Sequence, residues 1–150
     1  MKIFLATQIS MLLLYTGYAP ANQQPIDISS NIDVNICISK FGENNDECLD
    51  KITKKSDETL NQAYEKKLKE IKSLDYTQWW MGNKEQKRVM ITKFKSSQNI
   101  WINYRETFCQ SATTSAQSTH NLGNAITACT LNMNARRIEE ISLINPDIAD

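Results

Sequence analysis

Apolar residues recur every three or four positions over three long stretches of the chain, and each stretch reads as an amphipathic helix. In the first, from about Glu47 to Ser73, Leu49, Ile52, Leu60, Ala63, Leu68 and Ile71 form one stripe, while lysines and glutamates fill most other positions. Neither Gly nor Pro interrupts it. The second, from about Lys84 to Gln110, carries two adjacent stripes: Met90, Phe94, Trp101, Tyr104 and Phe108 on one, Ile91, Gln98, Ile102, Arg105 and Cys109 on the other. Two neighbouring stripes predict a helix buried on more than one side, the middle member of a bundle. The third helix runs from just after Gly123 to about Ile144, where Pro146 ends it; Ala125, Ile126, Cys129, Met133, Arg137 and Ile141 share its apolar face.

The segments between these helices have turn and loop compositions. Residues 74–86, LDYTQWWMGNKEQ, contain a Gly82-Asn83 stop signal, and residues 111–121, SATTSAQSTHN, are small and polar with no periodicity, as in a surface loop. FGENND at 41–46 reads as a turn in which Gly42 takes positive φ and Asn45 or Asp46 caps the next helix. Upstream, the alternation of Ile and Val from Ile32 to Ile38 has no second strand to pair with, so we read an extended arm or one irregular helical turn held by Cys37. The first residues have the form of an export leader: Lys2, an apolar run from Ile3 to Tyr15, and Ala19-Pro20-Ala21 at the cleavage positions, with cleavage expected after Ala21. That apolar run falls short of the roughly 20 residues of a membrane-spanning helix. The expected layout is therefore a signal peptide over 1–21, an N-terminal arm over 22–46 and a helical domain over 47–145. The fold class is all-α: a small antiparallel three-helix bundle with an N-terminal arm, stapled by two disulfides.

Composition narrows the chemistry. There are 17 Lys+Arg against 17 Asp+Glu, and loss of the leader removes Lys2 to leave 16 against 17, a formal charge of −1. A balanced charge gives no ground for nucleic acid or a membrane surface as partner. All four cysteines, Cys37, Cys48, Cys109 and Cys129, follow the leader, and an even count in an oxidising compartment implies two disulfides. Of the three pairings, chain proximity favours Cys37 with Cys48 and Cys109 with Cys129. A zinc site is disfavoured by the absence of C-x-x-C and by a single histidine, His120, and no cofactor is implied. There is no Gly-rich phosphate loop and no Ser or Cys with an evident base, which argues against an enzyme.

Two constellations stand out. In QNIWINYRETFC, residues 98–109, Gln98, Trp101, Arg105 and Cys109 fall on one helical stripe. We read it as structural: Trp101 in the core, and Gln98, Arg105 and Arg137 as interior polar groups paired with carboxylates of the first or third long helix, such as Glu140, and with backbone carbonyls. The other is the 74–83 segment, where Trp79 and Trp80 point about 100° apart on any helix and cannot both enter one core. Either one indole packs while the other caps the bundle end, the commoner fate of such a pair, or one of them is exposed for a partner, tryptophan being enriched among interface anchors. Asp75, Tyr76, Trp79 and Trp80 are thus the candidate partner-binding residues, and the hydroxyl-rich loop 111–121 is a second candidate surface.

Three segments together resemble one family, the LprI-type lysozyme inhibitors of exported bacterial proteins. They are ECL at 47–49 with LNQAY at 60–64; Gln98, Trp101, Tyr104, Arg105, Glu106 and Cys109; and Cys129, Met133, Arg137, Glu140 and Ile141. The resemblance implies a disulfide-stapled helical domain in the periplasm or outside the cell, with a lysozyme or related peptidoglycan hydrolase as its protein partner. The alternative is an immunity or accessory protein for another exported toxin or cell-wall enzyme. Lysozymes of the animal type are strongly cationic, and a net charge of −1 offers them little electrostatic steering.

Overall fold

The Asn31 side chain accepts from the Asp33 backbone N–H at 2.9 Å and so starts a helix where the arm was expected. This helix, α1 (Ile32–Phe41), opens the computed structural model, which describes residues 27–79 and 82–144. The expected leader with its cleavage after Ala21, Trp80 and the stop at Pro146 lie outside the described residues. α1 ends at Gly42, whose φ of 58° with ψ of −128° suits only glycine. The second helix, α2, spans Asp46–Ser73, and the third, α3, spans Lys84–Ala112 behind a capping box in which Asn83 and Gln86 bond each other's backbone N–H. The fourth, α4, covers Leu122–Ser142. Single 3₁₀ turns occupy Tyr76–Gln78 and Thr114–Ala116, and no strand occurs among the described residues.

All-α architecture and both favoured disulfides are observed: Cys37–Cys48 and Cys109–Cys129, each with S–S 2.00 Å. The count of helices and the identity of the central one differ from expectation. α1 packs Val34 and Cys37 against Leu49 of α2 and against Ala128 and Leu131 of α4. On the far side of the same helix pair, Trp101 and Cys109 of α3 meet Leu60, Cys129, Met133 and Ile141. The middle of the bundle is therefore the α2–α4 pair, with α1 and α3 flanking it, and α4 is buried on two sides. Tyr104, drawn into the apolar stripe of α3, is 53% exposed and stacks on Phe108 with ring centroids 5.6 Å apart. With the α2–α4 pair on one side only, α3 has a single buried face.

Asn132 makes α1 part of the domain. Its amide donates to the carbonyls of Ile28 at 2.9 Å and Ser30 at 2.8 Å, while its oxygen accepts from Asn31 Nδ2 at 2.7 Å. A third apolar cluster, Leu68, Ile71 and Phe94, closes α2 on α3, with Tyr64 stacked on Phe94 at 5.2 Å. It sits toward the α2–α3 connection, whereas both disulfides sit toward the opposite end.

Candidate functional site

A polar belt crosses the bundle at mid-height. Arg105 Nη1 donates to Asp57 Oδ1 at 2.8 Å and to Asn134 Oδ1 at 2.6 Å. Asn134, fully buried, donates in turn to Ser56 Oγ at 2.9 Å and Asp57 Oδ1 at 2.8 Å. Arg137 donates from Nε to Gln98 Oε1 at 3.0 Å and from Nη1 to Glu140 at 2.8 Å. Both guanidinium groups also approach the Trp101 ring, at 5.7 and 5.6 Å from its centroid, a cation–π arrangement in a partly desolvated setting. Gln98, Trp101, Arg105 and Arg137 are thus brought together, and Tyr104 is left outside. A carboxylate of the first long helix was expected as a partner, but Asp57 was not singled out, and the amide of Asn134 and the hydroxyl of Ser56 were not expected in the belt. No signal in α2 distinguishes Asp57 from the other acids of its wet face; only the position of α3 does. Among the described residues no buried side-chain polar atom lacks a partner. The belt is a tie between α2, α3 and α4 rather than a reactive constellation.

The ends of the bundle carry the accessible surfaces. At one end, the 3₁₀ turn Tyr76–Gln78 is nucleated by Asp75, whose Oδ1 accepts from the Thr77 N–H at 3.0 Å and the Thr77 hydroxyl at 2.6 Å. The Thr77 hydroxyl, then its N–H, hold the Asp75 carboxyl below the ordinary aspartate value of 3.8. Tyr76 faces Lys87, whose Nζ lies 5.8 Å from the ring centroid and donates to the Leu74 carbonyl at 2.6 Å. Trp79 is half-buried, and Gly82 permits the tight return: a Cβ there would overlap the Tyr76 carbonyl and lie 2.6 Å from Trp79 Cβ. Asp75, Tyr76 and Trp79 share one connection, but Asp75 Oδ1 is already occupied by its own turn.

At the other end, the α1–α2 turn meets the α3–α4 loop around a recess of about 460 Å³ lined by Glu43, Asn45, Asp46, His120, Asn121 and Asn124. Asn45 precedes α2 but does not cap it with its side chain; its buried amide donates to Asn124 Oδ1 at 2.8 Å and bridges the two loops. The loop expected to be wholly superficial hides Thr113, fully buried, whose hydroxyl donates to the Cys109 carbonyl at 2.8 Å. Asp46, Glu47 and Asp50 are exposed on the first turns of α2, where the helix dipole favours negative charge.

These ends differ in charge although the whole chain is neutral. Cut at the belt, the half holding residues 27–60 and 99–133 has nine Asp+Glu against five Lys+Arg, a formal −4. The half holding 61–98 and 134–144 has six Asp+Glu against eleven Lys+Arg, a formal +5.

A bundle of four helices closed by Cys37–Cys48 and Cys109–Cys129, with the Gln98–Trp101–Arg105–Cys109 strip at its centre, matches the family model described as lysozyme inhibitor LprI over residues 29–141. The chain belongs to the LprI family. The match begins at Ser29, before α1, and ends at Ile141 in α4, so the family unit includes the first helix as well as the expected three. LprI proteins are described by inhibition, not by catalysis, and the description names a protein as the target. No curated protein and no solved structure matches the chain.

Proposed function

We propose that the protein is exported and inhibits a lysozyme, or a related peptidoglycan hydrolase, by covering it with the acidic end of the bundle. Family membership across all four helices carries this reading. The two disulfides support export, because such bonds persist in oxidising compartments. The choice of surface rests on charge. A half-bundle at −4 with exposed Asp46, Glu47 and Asp50 beside a recess of amides complements a cationic enzyme, which the whole-chain charge would not. The loops framing the recess are fixed by the Asn45–Asn124 bridge and the Cys109–Cys129 bond, so little order is lost on docking. The 74–83 connection, with Asp75, Tyr76, Trp79 and Trp80, is the competing surface; one oxygen of its single carboxylate is held by its own turn and its surroundings are basic.

The test is a lysozyme assay with added protein, comparing wild type, D46K/E47K/D50K and W79A. We expect inhibition that weakens with salt, a loss of at least roughly tenfold in the acidic-end variant, and no change in W79A. Loss of inhibition in W79A with none in the charge variant would move the contact to the connection. No inhibition of animal-type or bacterial lysozymes at stoichiometric excess would remove the proposal.

A further inference from the structure

We infer that the basic end of the bundle is a docking surface for an anionic phospholipid bilayer. Lys66, Lys69, Lys72, Lys84, Lys93 and Lys95 are exposed there and form no ion pair among the described residues. Lys84, Arg88 (paired with Glu85), Ile91 and Lys95 form one stripe of α3, and Ile91 packs on the Leu68–Ile71–Phe94 cluster, so this stripe lies on the α2 side of α3. A lysine face alone is ordinarily a solvated face. Here it coincides with a second, independent feature. Leu143, 82% exposed, is the most exposed large hydrophobic among the described residues, and it lies in this same half of the bundle beside Ile144. The Ile144 carbonyl accepts from Lys67 Nζ at 2.9 Å, which fixes the end of α4 against the basic half of α2. Half-buried Trp79 shares this end of the bundle.

An exposed leucine in a half of the bundle that carries free lysines suits a membrane interface: the Leu enters the headgroup boundary while the ammonium groups meet lipid phosphates. A water-soluble polyanion would use the lysines but offer Leu143 no apolar phase, so the bilayer is favoured. The balanced charge of the whole chain, from which no membrane contact was expected, conceals this +5 half; Asp147 and Asp150, outside the described residues, are not in that count. Such docking would hold the acidic end facing away from the membrane. It does not depend on what that end binds.

Protein recovered from the exported fraction, its N-terminus read by mass spectrometry, is to be sedimented with phosphatidylcholine vesicles with and without phosphatidylglycerol. Binding to the anionic vesicles alone is expected, falling away as salt rises from ~0.1 to ~1 M and the Debye length shrinks from about 10 to about 3 Å. K69E/K72E/K84E/K95E should lower partitioning by at least ~100-fold, at roughly fivefold or more per residue. Leu143→Ser, which alters no charge, should lower it roughly tenfold. Circular dichroism confirms that each variant folds, and the wild-type salt series needs no variant. No binding to anionic vesicles, or equal binding to neutral ones, overturns the inference. So does binding unmoved by either variant, which would come from another segment. Loss in the charge variant with none in Leu143→Ser, together with competition by soluble polyphosphate, would make it a polyanion site instead.

Discussion

The acidic and basic ends of this bundle are held together by different forces. Both disulfides lie in the acidic half, where they fasten α1 to α2 and α3 to α4 around the loop recess. The basic half has no covalent tie; it rests on Leu68, Ile71, Phe94 and the Tyr64–Phe94 stack, with the Asn83–Gln86 capping box starting α3. One end adds two covalent staples to its apolar cluster of Val34, Leu49, Ala128 and Leu131, and the other depends on apolar burial without them. An inhibitor that occludes a cleft gains from a preorganised contact surface, and the staples stand at the end whose charge suits that contact. The end offered to lipid needs no such rigidity.

The largest effect should come from breaking the covalent side of this contrast. C37A/C48A and C109A/C129A each remove a cross-link, closed over separations of 11 and 20 residues. Each should cost about 3 kcal/mol, and their combination should unfold the acidic half first. Ten residues are too few for an isolated helix, so α1 should become protease-sensitive in C37A/C48A. Limited proteolysis with mass mapping reads this out; an α1 that stays protected without its staple would show that Asn132 and Val34 suffice to hold it.

Phe94→Ala attacks the apolar side. Removing a buried ring from a small cluster should cost about 3 kcal/mol while leaving both disulfides formed. Hydrogen exchange should rise in residues 64–71 and 87–94 and stay low around Cys109 and Cys129. Uniform acceleration would mean that the halves unfold as one unit and that the contrast is of charge alone.

The belt between the ends provides the smallest of these effects. Arg105→Ala strands Asp57 and Asn134, yet Asp57 is 47% exposed, so the cost should be about 2 kcal/mol rather than the 3–5 kcal/mol of a fully buried pair. Thermal melting should register a drop of roughly 8 °C, with lysozyme inhibition and vesicle binding unchanged in the folded protein. Wild-type melting with lost inhibition would reassign the belt as a contact site.

Much of this was legible along the chain. The three long helices follow from their 3.6-residue periodicity, the start of α3 from Asn83 and Gln86, the turn from Gly42, and the disulfide partners from chain proximity. The strip of Gln98, Trp101, Arg105 and Cys109, together with Arg137, was readable as interior polar structure because large rings and guanidinium groups shared one stripe. Asp75, Tyr76 and Trp79 were readable as one connection, though the occupation of the Asp75 carboxylate by Thr77 was not.

Periodicity records the amphipathic face of one helix at a time, and this is where the sequence by itself stopped. Over Ile32 to Ile38 the alternation of Ile and Val has no partner strand and suggests an extended arm or one irregular helical turn; packing on α2 and α4 and the Cys37 bond make it a helix of ten residues. Asn134, Asp57 and Thr113 acquire their roles only when helices distant in sequence meet. Net charge is a sum that ignores position, so a neutral chain concealed halves at −4 and +5. Antiparallel packing of α2, α3 and α4 sorted those charges to opposite ends, and with them the two surfaces on which the proposed functions rest.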